Sequence, residues 1–141
     1  MKILNVLTRQ RKIGNVGERL AAKYLKRAGY KILEKNYVSF QTEIDIIAEN
    51  KTTIAFIEVK TRTVGKENLR ETRPASAVTP SKQRKIISAA KYYLGTYKKE
   101  KRVSLDIIEV YMSDCRRASK ITHIENAFNR NTASEREFKR I

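Results

Sequence analysis

The sequence predicts an α/β fold, one domain whose elements run αβββαβ(β), with a mixed sheet flanked by helices. Three observations carry that expectation. Apolar residues recur at helical spacing over residues 15–28 and again over 79–95, each stretch closing on a glycine, Gly29 and Gly95. Three β-rich runs stand back to back between them, and a fourth follows the second helix. The 141 residues fit a single domain, and a 40% hydrophobic share is enough for a core without disulfides in a chain whose one cysteine is Cys115.

Residues 1–13 hold Lys2, Arg9, Arg11 and Lys12 and no acid, and read as a basic, loosely ordered arm. The first helix opens at Asn15-Val16-Gly17-Glu18, where Asn15 suits an N-cap and Glu18 the third position of a capping box. Leu20, Ala21, Tyr24, Leu25 and Ala28 form its apolar face, while Arg19, Lys23, Lys26 and Arg27 form a basic outside. Strands follow at 30–39, 43–48 and 52–61, with turns at Gln41-Thr42 and 49–51 that suit antiparallel hairpins. The third run is apolar on both faces until Glu58 and Lys60 interrupt it, the pattern of a central strand.

Residues 63–78, with Gly65 and Pro74, read as a polar loop. The second helix opens at Thr79-Pro80, Thr79 as cap and Pro80 at the first helical position. A fourth strand covers 103–112, 113–120 is a loop, and 121–128 is a short strand-like element. The polar residues 129–141 read as a charged, frayed tail, leaving 14–128 as the folded domain.

The charge balance narrows the partners. Lys and Arg total 31 against 15 Asp and Glu, a net charge of +16, which suits a polyanion such as DNA, RNA or an anionic lipid surface. No stretch approaches the ~18 apolar residues that span a bilayer, and neither helix has the large aromatic face of a membrane-surface helix, so no membrane partner is expected. The opening Met1–Leu7 run meets Arg9 before any cleavage site and is a poor signal peptide. Together with the lone cysteine, this points to a reducing, cytoplasmic setting. A single histidine, His123, leaves no zinc set and no Ser-His-Asp triad, and no phosphate-binding glycine loop is present.

The informative acids sit inside apolar strands. Side chains alternate along a strand, so Glu43 and Asp45 share one face and Glu58 and Lys60 share another. If the two strands pair as a hairpin, Asp45 and Glu58 converge, and two carboxylates so placed repel unless a cation lies between them. All-oxygen ligation suits Mg2+ or Mn2+, with Lys60 at hand to orient water or neutralise charge on phosphorus. An isolated Glu-x-Lys is more often a weak same-face ion pair. The flanking Phe56-Ile57 and Val59 argue against that, because unpaired charge in an interior strand is costly. Asp106, also in an apolar strand, reads as structural, with Arg102 as its expected partner.

Gly14-Asn15-Val16-Gly17-Glu18, Ala22-Lys23-Tyr24-Leu25, Gly29-Tyr30 and Asn36 resemble the opening of the YraN family of small bacterial proteins. Glu43-Ile44-Asp45-Ile46-Ile47-Ala48, Phe56-Ile57-Glu58-Val59-Lys60-Thr61-Arg62 and Ala77-Val78-Thr79-Pro80-Ser81-Lys82-Gln83-Arg84 resemble its central motifs, and Asn126-Ala127-Phe128 its close. The resemblance implies a restriction-endonuclease-like PD-(D/E)xK core related to Holliday-junction resolvases. It implies Asp45, Glu58 and Lys60 as catalytic residues and Glu18, Asp45 and Glu58 as ligands of Mg2+ or Mn2+. DNA is the implied partner, met beside the site by Lys82 and Gln83, and a homodimer is the resolvase-like assembly. Arg62 in the matched strand motif, and Arg84 and Lys85 in the dense basic run of the second helix, suit further phosphate contact by their charge. The expectation is therefore a metal-dependent nuclease acting on DNA, with branched DNA among its substrates. A non-catalytic nucleic-acid-binding protein of the same fold is the alternative. Thr42 stands where the family usually has glycine, and the 63–76 loop is longer than usual.

Overall fold

The computed structural model describes the backbone of residues 2–39, 42–63, 78–114 and 116–133, and the side chains of those from residue 15 onward. The elements are α1 (Lys2–Arg27), β1 (Lys31–Ser39), β2 (Thr42–Glu49), β3 (Thr53–Thr63), α2 (Pro80–Leu94), β4 (Arg102–Met112) and β5 (Ala118–Ile124). The order is the expected one. The polar loop read at 63–78 lies almost wholly outside the described residues, as do Gln41, Cys115 and residues 134–141.

The five strands form one sheet in the order β1-β2-β3-β4-β5. β1, β2 and β3 pair antiparallel as two hairpins, β3 and β4 pair parallel, and β5 returns antiparallel on β4. The parallel pair needs a crossover, and α2 lies in it. β3 is the central strand, buried from Thr53 to Glu58. This mixed sheet and element order match a restriction-endonuclease-like core. Among the described residues no helix is long and apolar enough to cross a membrane.

One helix covers each face. Ala21, Ala22 and Leu25 of α1 pack on Ile46, Ala48, Ala55, Ile57, Ile108, Val110 and Met112. Ile86, Ala89 and Ala90 of α2 pack on Ile44, Ile47, Ile54, Phe56 and Ile107, closed by Val78 and Phe128. Burying a Leu, Ile or Phe side chain contributes roughly 1.5–3 kcal/mol, so these two layers hold the sheet between the helices. Tyr93 belongs to the second layer, edge-on to Tyr37 and Phe56, as its helical position predicts.

The helix ends separate two kinds of sequence signal. α2 begins as read, with Thr79 Oγ1 accepting from the Lys82 N–H at 3.2 Å and Pro80 in the first turn. α1 ends as read, with Gly29 at φ 93° and the Tyr30 N–H donating to the Leu25 carbonyl at 2.9 Å. Its expected start is corrected. The helix is continuous from Lys2, so residues 2–13 of the arm are helical in backbone and Asn15 is not an N-cap. A good capping residue inside a helix has nothing to cap, and the residues before it simply continue the turn. The tail is corrected in part. Ala133 is buried, and its carbonyl accepts from Arg84 Nη1 at 2.7 Å, so 129–133 are held against α2 rather than frayed.

α1 lies close against β3 at Gly17. A Cβ there would stand 2.1 Å from Thr61 Oγ1, closer than any real contact. Gly17→Ala is therefore expected to lower stability by about 1–3 kcal/mol. Thr61→Ala in the same chain should recover most of it, as read by urea denaturation. Equal stability of Gly17→Ala and the native chain would remove this contact as a constraint.

At the far end of β2, buried Glu49 binds Lys99 Nζ at 2.8 Å, Lys101 Nζ at 3.0 Å and the Tyr97 hydroxyl. This ties the β2–β3 turn to the strap entering β4. Lys99, then Tyr97 and Lys101, hold its carboxyl down to about 2 from the usual 4.5, while burial and then the bond to Glu49 push the Tyr97 hydroxyl up to about 12. Because the folded value is depressed, the stabilisation is present above about pH 4.5 and is lost as pH falls toward 2. Glu49→Gln should cost roughly 1–3 kcal/mol at neutral pH. That deficit should narrow by more than half between about pH 6 and pH 2.5. A pH-independent deficit would contradict the assignment.

Candidate functional site

The hairpin of β2 and β3 does not pair to its end. The ladder runs from Glu49↔Ile54 to Ile46↔Ile57. Beyond it a side chain replaces the backbone partner, for the Val59 N–H donates to Asp45 Oδ2 at 2.8 Å. Strict alternation of β2 breaks at the same place, since Ile44 and Ile47 pack on the α2 side while Ile46 and Ala48 pack on the α1 side. Glu43 and Asp45 nevertheless face one cleft, as their spacing predicts. On β3, Ile54 and Phe56 pack on the α2 side, so Glu58, Lys60 and Arg62 follow on that face.

The cleft has a volume of about 560 Å³ and is lined by Glu18, Thr42, Glu43, Asp45, Thr79, Ser81, Lys82 and Lys85. Three elements supply its chemistry. The splayed end of the hairpin brings acids, α1 brings Glu18, and the first two turns of α2 bring Lys82 and Lys85, with no acidic residue in the first turn. A helix N-terminus is positive through its unpaired N–H groups, so this rim favours phosphate on two counts.

Glu58 is only 5% exposed and has its charge met twice, by Lys82 Nζ at 2.6 Å and by Lys60 Nζ at 3.6 Å. Asp45 is less well served. Its carboxyl is pushed up from 3.8 to about 7, first by burial, then by the negative charge of Glu58 and, less, of Glu18. The Val59 N–H and Lys82 pull the other way. Glu18 is raised too, by burial and then by Glu43 and Glu58, against Lys35. Glu18, Asp45 and Glu58 therefore repel one another at a common place. Asn36 eases part of this. It sits in the left-handed region at φ 52°, and with its amide turned to donate, Nδ2 stands 2.8 Å from Glu43 Oε1 and 3.2 Å from Glu18 Oε2.

The expected site residues separate into those brought together and those that are not. Glu18, Asp45, Glu58, Lys60 and Lys82 form one electrostatic group, and Lys85 shares its cleft. Gln83 is buried, with its amide donating to the Val78 carbonyl at 2.8 Å and accepting from Thr132 at 2.8 Å, so it is used inside the fold. Arg84 reaches the Ala133 carbonyl. Arg62 turns to Glu109 on β4, with Nε 3.3 Å from Oε2. Asp106 is structural as expected, but its partner is corrected from Arg102 to His123, whose Nε2 lies 2.8 Å away. Ser104 bonds Asp106 and not the histidine, and Tyr24 takes the other ring nitrogen, so no nucleophile–base pair is formed.

Sequence reading missed Glu43, Asn36 and Glu109 as members of this region. Glu109 could have been found by the signal that marked Asp45 and Glu58, a charge inside an apolar run, here Ile107-Ile108-Glu109-Val110.

Among the described residues no group of three or more His, Cys, Asp or Glu stands ready as a cation cage. The donor chemistry still suits a hard divalent ion. Carboxylate oxygens alone line the acidic side, and the suppressed ionisation of Asp45 is what a cation would relieve. Lys82 stands on Glu58 as its counter-charge.

Known proteins place the chain by sequence. The model of the uncharacterised protein family UPF0102 matches residues 17–110. A UPF0102 protein of Caldanaerobacter subterraneus subsp. tengcongensis is 45% identical over 118 residues, covering 82% of this chain and 93% of the relative. Another, of Caldicellulosiruptor saccharolyticus, is 39% identical over 120 residues, covering 84% and 98%. A third, of Thermodesulfovibrio yellowstonii, is 43% identical over 116 residues, covering 82% and 95%. The match spans α1 from Gly17, the hairpins, α2 and most of β4, and thus includes Glu18, Asp45, Glu58, Lys60 and Lys82. The chain belongs to the UPF0102 family, the family of the YraN proteins.

Proposed function

We propose that this protein is a divalent-cation-dependent nuclease that hydrolyses DNA phosphodiester bonds. The observation that supports this most is the meeting of Asp45 and Glu58 where β2 and β3 part, with Lys60 on the same face. Asp45, Glu58 and Glu18 would hold Mg2+ or Mn2+. A bound ion of this kind polarises a phosphoryl oxygen and lowers the pKa of its water. Lys60 holds its ammonium beside Glu58, where it can orient water or meet charge growing on phosphorus. Lys82 and Lys85 at the α2 terminus, with Arg84 and Arg62 farther out, contact backbone phosphates. Such contacts position a duplex without reading its sequence, so shape would select among linear and branched DNA. A cytoplasmic setting and a resolvase-like homodimer complete this reading.

A specific observation favours the alternative, a nucleic-acid-binding protein without catalysis. Glu58 is already neutralised by Lys82 at 2.6 Å, and an ion must displace that ammonium. Purified protein, Mn2+, and both a linear duplex and a four-way junction separate the two. The nuclease reading expects cation-dependent cleavage that Asp45→Ala reduces at least a hundredfold while DNA affinity is retained. No cleavage of either substrate, with unchanged binding, would establish the alternative.

The suppressed ionisation of Asp45 makes a second prediction. Its folded value of about 7 lies above the ordinary 3.8, so the folded state holds a proton that the unfolded chain releases. The associated stability is full below about pH 3.8 and is lost as pH rises through about 7. In EDTA at about pH 8, Asp45→Asn should be more stable than the native chain by roughly 1–3 kcal/mol, and equal to it near pH 4. Millimolar Mg2+ at pH 8 should stabilise the native chain and not the variant. A variant less stable than native in EDTA at pH 8 would contradict the repulsion.

A further inference from the structure

Glu109 sits in the middle of β4, between Ile108 and Val110, and is fully buried. It shares the α2 side of the sheet with Ile107, two residues before it, and lies beside Lys60 in the parallel register, with Tyr111 beside Arg62. Its Oε2 accepts from Arg62 Nε at 3.3 Å and from the Tyr111 hydroxyl. Among the described residues its Oε1 has no partner. A buried carboxylate with an unpaired oxygen is a poor structural choice, since an apolar residue of similar volume would fill the place at lower cost. A charge kept under those conditions has a use for the cation it holds.

That cation is placed to work outward. Arg62 keeps 31% of its side chain exposed, and among the described residues Glu109 is its only hydrogen-bond partner. Only Nε is engaged, so the two terminal amines remain to donate, and a guanidinium presents them as a fork that fits a phosphate. Arg62 lies on the same face as Glu58 and four residues farther along β3, a separation of about 13 Å at the usual strand rise. It therefore reaches a different phosphate from the one at the carboxylates.

We propose that Glu109, steadied by Tyr111, is a positioning residue that presents Arg62 to one backbone phosphate of bound DNA flanking the bond at Asp45 and Glu58. The proposal rests on the nucleic-acid reading of the site and not on catalysis. Glu109 touches no substrate. It fixes the guanidinium by its Nε edge, which leaves the fork free and removes the freedom that a long exposed side chain would otherwise lose on binding.

The test is DNA binding in EDTA, measured by anisotropy with a labelled duplex between about 50 and 200 mM salt. Arg62→Gln should weaken binding roughly five- to tenfold near 0.1 M salt and flatten the log–log salt slope by about 0.9, the signature of one lost phosphate contact. Glu109→Gln removes a negative charge, which by bulk attraction alone tightens DNA binding. The proposal expects the opposite sign, at least threefold weaker binding with a flatter slope. It also expects the double variant to bind no more weakly than Arg62→Gln alone. If Glu109→Gln does not fold, Tyr111→Phe takes its place, with an expected twofold weakening that disappears in the Arg62→Gln background. Unchanged or tighter binding in the variant tested, or additive losses, would overturn the role of Glu109. A protein that binds as expected and never cuts leaves this inference standing and removes the nuclease. Cleavage by a protein whose Glu109→Gln variant binds more tightly does the reverse.

Discussion

Two carboxylates of like charge cannot both ionise at short range in a partly buried place without a cation to hold them, and Asp45 and Glu58 are set in that relation by the backbone. The β2–β3 ladder ends at Ile46↔Ile57, and the Val59 N–H, left without a backbone partner, is taken by Asp45. This bond anchors Asp45 beside the preceding residue of β3, which is Glu58. The surrounding structure supports that juxtaposition. α1 closes on β3 through Gly17 and brings Glu18, one residue on, to the cleft. α2 is capped by Thr79 so that its first turn, with Lys82, ends on Glu58.

The net charge of +16 and this acidic pocket act on a polyanion with opposite sign. Lysines and arginines over the surface attract a polyanion from any direction. The pocket repels the same polyanion unless its own charge is met, and Lys82 and Lys60 meet that of Glu58. On the proposed reading, the exchange of those ammonium groups for a divalent ion frees two cations for phosphate at the moment the pocket becomes able to act. Glu109 extends the theme on the next strand, where a buried acid directs a cation outward instead of holding one inward.

Much of this was legible in the sequence because the relevant signals are local. Period-two alternation placed Glu58 and Lys60 on one face. Apolar neighbours marked Glu58 and Asp45 as interior, and Thr79-Pro80 and Gly29 marked helix ends whose geometry follows from single residues. What was not legible depends on contacts between distant segments or on context. Asn15 and Glu18 have the composition of a capping box, yet the helix runs through them from Lys2, and Glu18 is spent on the cleft. Gln83 carries the amide expected beside such a site but is drawn into the core by Val78 and Thr132. Asp106 took His123 from β5 in preference to Arg102 nearby in sequence, a pairing only the sheet register reveals. Asn36 reaches Glu18 and Glu43 from a left-handed turn of an edge strand that no periodicity announces.

On the proposed reading, the parting of β2 from β3 builds a divalent-cation site from Asp45 and Glu58. Anomalous diffraction from crystals of the protein grown with Mn2+ near pH 8 tests it most directly. The account predicts a peak within coordination distance of both carboxylates, with the Lys82 ammonium withdrawn from Glu58. Crystals without a peak there, in which Lys82 still stands on Glu58 at the same Mn2+ concentration, would contradict it.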